Sequence, residues 1–231
     1  MQHQLILVSA GESEWLPLNL FTGWSDVLLS ERGMEQARAA GHLLKKEGIL
    51  LDRAYTSYLR RGIRTCSLIL QQLHEEYIPV TKAWQLNERH YGALQELSKI
   101  DTARSYGNDR VADWRRAYDV KPPEVDADDD RNPANDVMYR KVDKSLLPVT
   151  ESLQDVERRV WGYYQSEIAP KVLSGETVLV AGHSSSIRAL LQHFDSIPDE
   201  KAPGLEIPPA IPYVYTLDEE GGTLDKKILQ A

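Results

Sequence analysis

Two short segments place small polar residues directly after apolar runs, and one of them contains a histidine. The apolar residues 4–8 precede residues 9–13 (SAGES), and residues 177–181 precede residues 182–186 (GHSSS). Small residues expose backbone N–H groups, and the N-terminus of a helix attracts anions. The second segment therefore indicates an anion site beside His183. A histidine with a purely structural role at the end of a strand explains the same spacing.

Arginine-rich and loop segments supply further candidate groups. Arg61 falls in the first turn of a predicted helix, Arg115 and Arg116 are adjacent, and residues 86–92 read LNERHYG. Guanidinium groups bind carboxylates and phosphates with two parallel hydrogen bonds. A solvated helix face and a hydrogen-bonded loop are the plain alternatives. Neither HxxxH nor HExxH occurs, so we expect no metal site and no cofactor.

The elements that must position these residues alternate between strands and helices. This alternation predicts a three-layer α/β/α fold with a mostly parallel mixed sheet, in which ligands bind beyond the carboxyl ends of the strands. The predicted strands span residues 4–8, 52–56, 77–81, 177–181 and 213–217. The predicted helices span residues 30–46, capped by Ser30, 57–73, capped by Ser57, 152–171 and 186–194.

Composition limits the classes of function. The 231 residues fit one domain over 1–231, with residues 121–149 as an exposed, acidic and irregular insertion. A net charge of -8 argues against a general nucleic-acid binder. No apolar run approaches the roughly 20 residues that span a bilayer, so we expect no membrane contact. The single cysteine, Cys66, excludes an intramolecular disulfide and indicates the reducing cytoplasm.

Several segments together resemble the cofactor-dependent phosphoglycerate mutases of the histidine phosphatase superfamily. Residues 7–15 (LVSAGESEW) and 21–24 (FTGW) are similar to the family motifs L-V-R-H-G-E-S-x-W-N and N-R-F-[TC]-G-W. Residues 55–65 (YTSYLRRGIRT) resemble T-S-x-L-x-R-A-I-R-T, and residues 87–95 (NERHYGALQ) match a signature of the mutases. The resemblance implies the family's fold, a small anionic metabolite as ligand, and a homodimer or homotetramer.

The resemblance also assigns roles to residues that this chain retains. Arg61, Glu88 and His183 match members of the family's reaction centre, with Glu88 as the proton shuttle. Positions that match the family's substrate anchors are Ser13, Thr22, Gly23, Tyr91, Lys99, Arg115 and Arg116.

Other positions of the reaction pocket differ from the family. Ala10 stands where the family has the histidine that accepts the phosphoryl group, and Ser9 replaces the arginine beside it. Leu16 replaces an asparagine, Leu20 an arginine, and Ser185 the asparagine after the second histidine. Replacement of the histidine alone would not account for the other four changes. Because alanine has no nucleophile, a phosphoenzyme at position 10 is excluded.

Three hypotheses for function follow from this pattern. In the first, the chain is a repurposed enzyme that binds a small carboxylate or phosphate metabolite and uses Glu88 and His183 for acid–base chemistry. In the second, it binds a ligand or a protein partner without turnover. In the third, it keeps residual mutase or phosphatase activity. The retention of Arg61 beside Glu88 and His183 favours the first.

Overall fold

Six strands and seven α-helices alternate along residues 3–230, the part of the chain that the computed structural model describes. In chain order they are β1 His3–Ser9, α1 Glu31–Lys46, β2 Arg53–Thr56, α2 Arg60–Leu73, β3 Val80–Lys82, α3 Lys99–Tyr106, α4 Asn108–Arg116, α5 Leu153–Tyr163, α6 Ala169–Leu173, β4 Val178–Gly182, α7 Ser184–Phe194, β5 Pro212–Leu217 and β6 Thr223–Ile228.

The strands form one sheet in the order β3-β2-β4-β1-β5-β6. β1, β2, β3 and β4 are parallel, whereas β5 is antiparallel to β1 and β6 is antiparallel to β5. Ser9 at the end of β1 lies in register with Gly182 at the end of β4. The mixed, mostly parallel sheet confirms the predicted α/β fold, and the two strand ends that carry candidate residues are neighbours.

Helices cover both faces of this sheet because side chains along a strand alternate in direction. Leu5 and Leu7 of β1 pack in one apolar cluster with side chains of α5 and α7. Ile6 and Val8 pack in another cluster with side chains of α1 and α2. All four are fully buried, and each such side chain contributes roughly 1.5–3 kcal/mol by leaving water. The two clusters fix the sheet that positions the strand ends.

The local sequence explains where several elements begin. Ser30 caps α1 as predicted, since its hydroxyl oxygen accepts the N–H of Gly33 at 3.0 Å. The prediction that Ser57 caps α2 is wrong. Its hydroxyl oxygen instead accepts the N–H of Leu59 at 3.1 Å, and α2 begins at Arg60. β3 begins at Val80 because the preceding residues form a turn.

The helix predicted over residues 152–171 is present but widens in the middle. α5 continues through a π-helical turn, Tyr164–Ile168, into α6. Pro170 follows this turn and has no N–H to donate to the carbonyl four residues earlier, which disturbs the regular helical ladder. α7 begins at Ser184, two residues before the predicted start. No helix within residues 3–230 is long and apolar enough to cross a membrane.

The insertion over residues 121–149 contains two short 3-10 turns, Val137–Tyr139 and Lys144–Leu146, and it is not exposed throughout. Its Tyr139 is buried, stacks on Trp24 with ring centroids 5.1 Å apart, and its hydroxyl oxygen accepts a hydrogen bond from Asn87. Arg131 donates to the carbonyl of Gln95 at 2.8 Å. These contacts anchor the insertion against the loop that follows β3.

Candidate functional site

A cavity of about 230 Å³ opens at the carboxyl ends of β1 and β4. Twelve of the fifteen site residues that the sequence predicts line this cavity. On its walls are Ser9, Ala10, Ser13, Leu16, Leu20, Thr22, Gly23, Arg61, Glu88, Tyr91, Lys99 and His183. The cavity is small beside typical ligand pockets of about 300–1,000 Å³, which indicates a small metabolite.

The end of β1 contributes no free polar side chain to this cavity. Ser9 is buried, and its hydroxyl donates to the carbonyl of Pro208 at 2.8 Å. Its own carbonyl accepts the N–H of Ala210 at 3.1 Å. The next residue, Ala10, offers only a methyl group, and its N–H donates to the carbonyl of Gly182. The Ser9 hydroxyl, the Ser9 carbonyl and the Ala10 N–H therefore all form hydrogen bonds with backbone groups.

The end of β4 instead carries a buried histidine with a defined partner. His183 precedes α7, and its Nε2 lies 2.7 Å from the hydroxyl of Ser57. Its N–H donates to the hydroxyl of Ser186 at 2.8 Å. Sequence reasoning assigned Ser57 to a helix cap and missed this contact. The Ser57 hydroxyl orients the imidazole ring that lines the cavity.

Glu88 lies on the cavity wall beside the start of α7. One carboxylate oxygen accepts the N–H groups of Arg89 at 2.8 Å and Ser185 at 3.2 Å. The other accepts the hydroxyl of Ser184 at 2.9 Å. Ser185 itself does not line the cavity, so its contribution is a backbone N–H. This arrangement uses the N-terminus of α7 to hold a carboxylate.

Arg61 reaches the same cavity from the first turn of α2. Its guanidinium donates to the carbonyls of Ser25 at 2.9 Å and Gly23 at 2.6 Å. Gly23 has a φ of +51°, and a Cβ there would lie 2.3 Å from the side-chain oxygen of Gln95. The left-handed backbone and the close Gln95 side chain therefore favour glycine at the turn whose carbonyl holds Arg61.

The ionisable groups on the cavity floor have defined charge states. Burial lowers the pKa of His183, and the charge of Arg61 lowers it further, so the imidazole is neutral at pH 7. Burial alone would raise the pKa of Glu88, but the hydrogen bonds from Ser185 and Arg89 and the charge of Arg61 together lower it. Because a guanidinium stays protonated at any accessible pH, Glu88 is ionised while His183 is neutral.

Lys99 supplies a second cation to the wall of the cavity, from a different helix than Arg61. It begins α3, and its Nζ lies 5.8 Å from the ring centroid of Phe21. Among residues 3–230, no carboxylate lies within ion-pair distance of this ammonium group. Burial and the repulsion of Arg115 lower the pKa of Lys99. The group is a candidate binding site for an anion.

The two remaining predicted anchors lie outside the cavity. Arg115 lines a neighbouring depression that shares Lys99, and Arg116 is exposed and lines neither. Their role as substrate anchors stays a prediction. Conversely, Ile207 and Pro209 line the cavity and carry no chemical signal in the sequence that would have identified them. Within residues 3–230, no cluster of metal-binding side chains occurs.

Comparison with known proteins assigns the chain to a family. The histidine phosphatase superfamily (branch 1) matches residues 5–137 and 125–228. The chain is 47% identical to the 2,3-bisphosphoglycerate-dependent phosphoglycerate mutase of Treponema denticola over 226 residues, which cover 98% of this chain and 92% of the relative. It is 50% identical to the protein of the same name from Borreliella burgdorferi over 218 residues, with coverages of 94% and 88%.

Solved structures support the same fold. The α-ribazole phosphatase of Shigella flexneri superimposes with a TM-score of 0.72 at 19% identity, covering 99% of this chain and 96% of that one. The mycobacterial glucosyl-3-phosphoglycerate phosphatase gives 0.68 at 22% identity, with coverages of 98% and 96%. The family match and the sequence identities show that the chain belongs to the histidine phosphatase superfamily and, within it, to the 2,3-bisphosphoglycerate-dependent phosphoglycerate mutase family.

Proposed function

We propose that this family member binds a small anionic metabolite and transforms it by proton transfer at Glu88, without a phosphohistidine intermediate. The observation that carries the proposal is the composition of one cavity. Ala10, which has no nucleophile, shares its walls with Arg61, Glu88 and His183. The reaction centre therefore lacks the group that would accept a phosphoryl group and keeps the groups that handle protons and charge.

Without a nucleophile at position 10, the site does not run phosphoryl transfer through a phosphoenzyme at that residue. Residues of a covalent mechanism act as a unit, so removing the nucleophile costs several orders of magnitude in rate. Ser9 is engaged with Pro208, and Leu16 and Leu20 have no donors for phosphoryl oxygens. A phosphoryl group at this end would meet few compensating charges.

Proton transfer needs a basic group on the cavity wall and a cation to stabilise the negative charge that develops. Glu88 is ionised, and Arg61 and Lys99 line the same cavity. A positioned base contributes about 10²–10⁴-fold to the rate of such a step. The neutral imidazole of His183 completes the site as a hydrogen-bonding group.

Binding without turnover is the second candidate function, and one observation favours it. Both oxygens of Glu88 accept hydrogen bonds from Arg89, Ser184 and Ser185, and the pKa of the carboxyl is lowered. A weakly basic, fully bonded carboxylate suits a structural role. Residual mutase or phosphatase activity is the third candidate, which the names of the relatives favour. Cytoplasmic location and homo-oligomer formation stay predictions.

Two measurements test the proposal. Incubation with labelled 2,3-bisphosphoglycerate should leave no acid-labile phosphohistidine, and mass spectrometry of a metabolite mixture should reveal a consumed anion. Glu88→Gln should lower turnover of that anion at least 100-fold and change its Kd less than threefold, because a proton shuttle acts mainly on the transition state.

The exposed Glu14 provides the control, since Glu14→Gln should retain turnover. Stoichiometric phosphorylation of His183 would overturn the proposal in favour of the third candidate. Unchanged turnover in Glu88→Gln would show that this carboxylate is not the base, and a ligand bound without consumption would favour the second candidate.

A further inference from the structure

Five apolar side chains, which we call the apolar rim, line the cavity, and three of them stand where the family resemblance implies polar or charged side chains. Ala10, Leu16 and Leu20 come from the loop after β1, and Ile207 and Pro209 come from the loop before β5. A ligand group seated against these five side chains cannot form hydrogen bonds with them. This rim therefore favours a hydrocarbon group over a phosphoryl group.

Hydrogen bonds hold the loop before β5 in place at this rim. Ser9 donates to the carbonyl of Pro208 and accepts the N–H of Ala210. Arg188 of α7 donates to the carbonyl of Leu205 at 3.1 Å. These bonds flank Ile207 and Pro209 on both sides. The apolar rim is thus a fixed part of the fold.

The loop after β1 is also tied down. The N–H of Leu16 donates to the carbonyl of Ser13, and Leu20 forms an isolated antiparallel bridge with Ser98. The following residue, Lys99, donates its N–H to the carbonyl of Asn19. These contacts place the apolar Leu20 beside Lys99, the first residue of α3, at the wall of the same cavity.

The charges on the cavity walls balance. Two cations, Arg61 and Lys99, face two carboxylates, Glu12 and Glu88, while His183 is neutral. Arg61 lies close to Glu88, and Glu12 also faces an arginine outside the cavity at 3.8 Å. Among the cavity residues within 3–230, Lys99 is the cation without a carboxylate partner, and Arg115 lines a neighbouring depression that shares Lys99. An anionic group of a ligand is therefore compensated at Lys99.

We infer that the cavity takes a monoanion with an apolar tail, of the class of short aliphatic carboxylic acids, with the carboxylate at Lys99 and the tail against the apolar rim. The inference deepens the proposed function, because it concerns the same site and names its ligand class. The cavity volume of about 230 Å³ limits the tail to a few carbons. A bisphosphorylated glycerate, which has no hydrocarbon tail, does not fit the apolar rim.

A homologous series of ligands tests this inference on the full chain by isothermal titration calorimetry and ligand-observed NMR. The probes are acetate, butyrate, hexanoate, hexanamide and 3-phosphoglycerate. Each methylene should strengthen binding about fourfold, which makes hexanoate at least tenfold tighter than butyrate. Hexanamide and 3-phosphoglycerate should each bind at least tenfold more weakly than hexanoate.

Matched variants locate the two ends of the ligand. Leu16 and Leu18 lie in one loop and are 55% and 59% exposed, but only Leu16 lines the cavity. Leu16→Asn should weaken hexanoate binding about fivefold or more and leave acetate binding within twofold, whereas Leu18→Asn should change neither. Lys99→Met should remove the preference for hexanoate over hexanamide, and Lys144→Met, at an exposed position, should retain it.

Several results would overturn the inference. These are equal affinity along the series, tighter binding of 3-phosphoglycerate than of hexanoate, and no saturable binding of hexanoate at millimolar concentration. All measurements are of binding, so they are independent of turnover. If the chain selects ligands by chain length but transforms none of them, the proposed proton transfer is wrong and the ligand class stands. If it prefers 3-phosphoglycerate but forms no phosphohistidine, the ligand class is wrong and the proposed function stands.

Discussion

The ends of β1 and β4 are neighbours in one sheet and present opposite chemistry to the cavity. At the end of β4, His183 contacts Ser57, and the first residues of α7 bind the carboxylate of Glu88. At the end of β1, Ser9 is bonded to the backbone of Pro208, and Ala10 has no functional group. The two ends share a backbone register but not a role.

Under the proposed function, this difference means that the backbone scaffold of a reaction centre is retained while one half of its chemistry is replaced. The N–H of Ala10 still donates to the carbonyl of Gly182, so the strand ends stay in contact. The polar interactions at the β4 end gather around one buried charge, Glu88. Those at the β1 end hold a loop that supplies apolar surface. The predictions below test whether the two ends are separable in this way.

The largest effect is expected from converting the β1 end. Ala10→His alone should form very little phosphohistidine from labelled 2,3-bisphosphoglycerate, because the groups around it do not bind phosphoryl oxygens. Adding Ser9→Arg, Leu16→Asn and Leu20→Arg should increase the rate of phosphorylation by roughly 10²–10³-fold over Ala10→His. Acid-labile label per chain measures both variants.

The control combines Ser9→Arg, Leu16→Asn and Leu20→Arg with the natural Ala10, and it should form no phosphohistidine. If Ala10→His alone were phosphorylated as fast as the variant with all four substitutions, the neighbouring residues would not limit phosphoryl transfer. The difference in chemistry between the two strand ends would then depend on the side chain of residue 10 alone.

An intermediate effect is expected at the β4 end, where His183 should make stability depend on pH. Its pKa is lowered from 6.5 in the folded chain, so below pH 6.5 the unfolded chain binds a proton that the folded chain does not. Stability from this group is therefore present above pH 6.5 and is lost as the pH falls. The loss should be about 1.4 kcal/mol per pH unit between pH 6.5 and 5.

Chemical denaturation at several pH values measures this slope. His183→Asn should lower the free energy of unfolding at pH 7, because Ser57 loses its partner. Below pH 6.5, its stability should fall less steeply with pH than that of the natural chain, by the slope that His183 contributes. His42→Asn, at an exposed position of α1, should keep the natural slope. Equal slopes in the natural chain and His183→Asn would mean that the imidazole is already protonated in the fold.

Local patterns predicted the fold and most of the cavity from the sequence. The apolar runs that became β1 and β4 are each followed by small residues, and that pairing indicated where the strand ends meet. Ser30 was found as a helix cap because its hydroxyl accepts the N–H of Gly33, which is only three residues further along the chain. Motif resemblance located Arg61, Glu88 and Lys99, which are far apart in the chain and meet in the fold.

The remainder depends on contacts between distant residues, which no local pattern encodes. Ser57 has the residue type of a cap, but His183, which follows β4 and is distant in the chain, competes for its hydroxyl. Ile207 and Pro209 have no feature that marks a binding site, and they reach the cavity because Ser9 fixes their loop. The acidic insertion looks solvated in sequence, yet Tyr139 within it is buried against Trp24.

The smallest effect is expected from Ser9→Ala, which separates a structural role of Ser9 from direct ligand binding. The variant loses one hydrogen bond to Pro208, whose carbonyl lies in an exposed segment that water can reach, so the free energy of unfolding should fall by only about 0.5–1 kcal/mol. Hydrogen exchange at the N–H of Ala210 should accelerate, because the loop is held less firmly. Hexanoate affinity should fall about two- to threefold, since the rim loosens without losing a side chain. Ser174→Ala is the matched control, because the Ser174 hydroxyl also donates to a backbone carbonyl at 2.8 Å, far along the chain in the turn after α6. That variant should change neither the exchange at Ala210 nor the affinity. A selective loss of 3-phosphoglycerate binding in Ser9→Ala would instead make Ser9 a phosphate ligand, and the β1 end would then have kept part of the chemistry that its hydrogen bonds indicate it has lost.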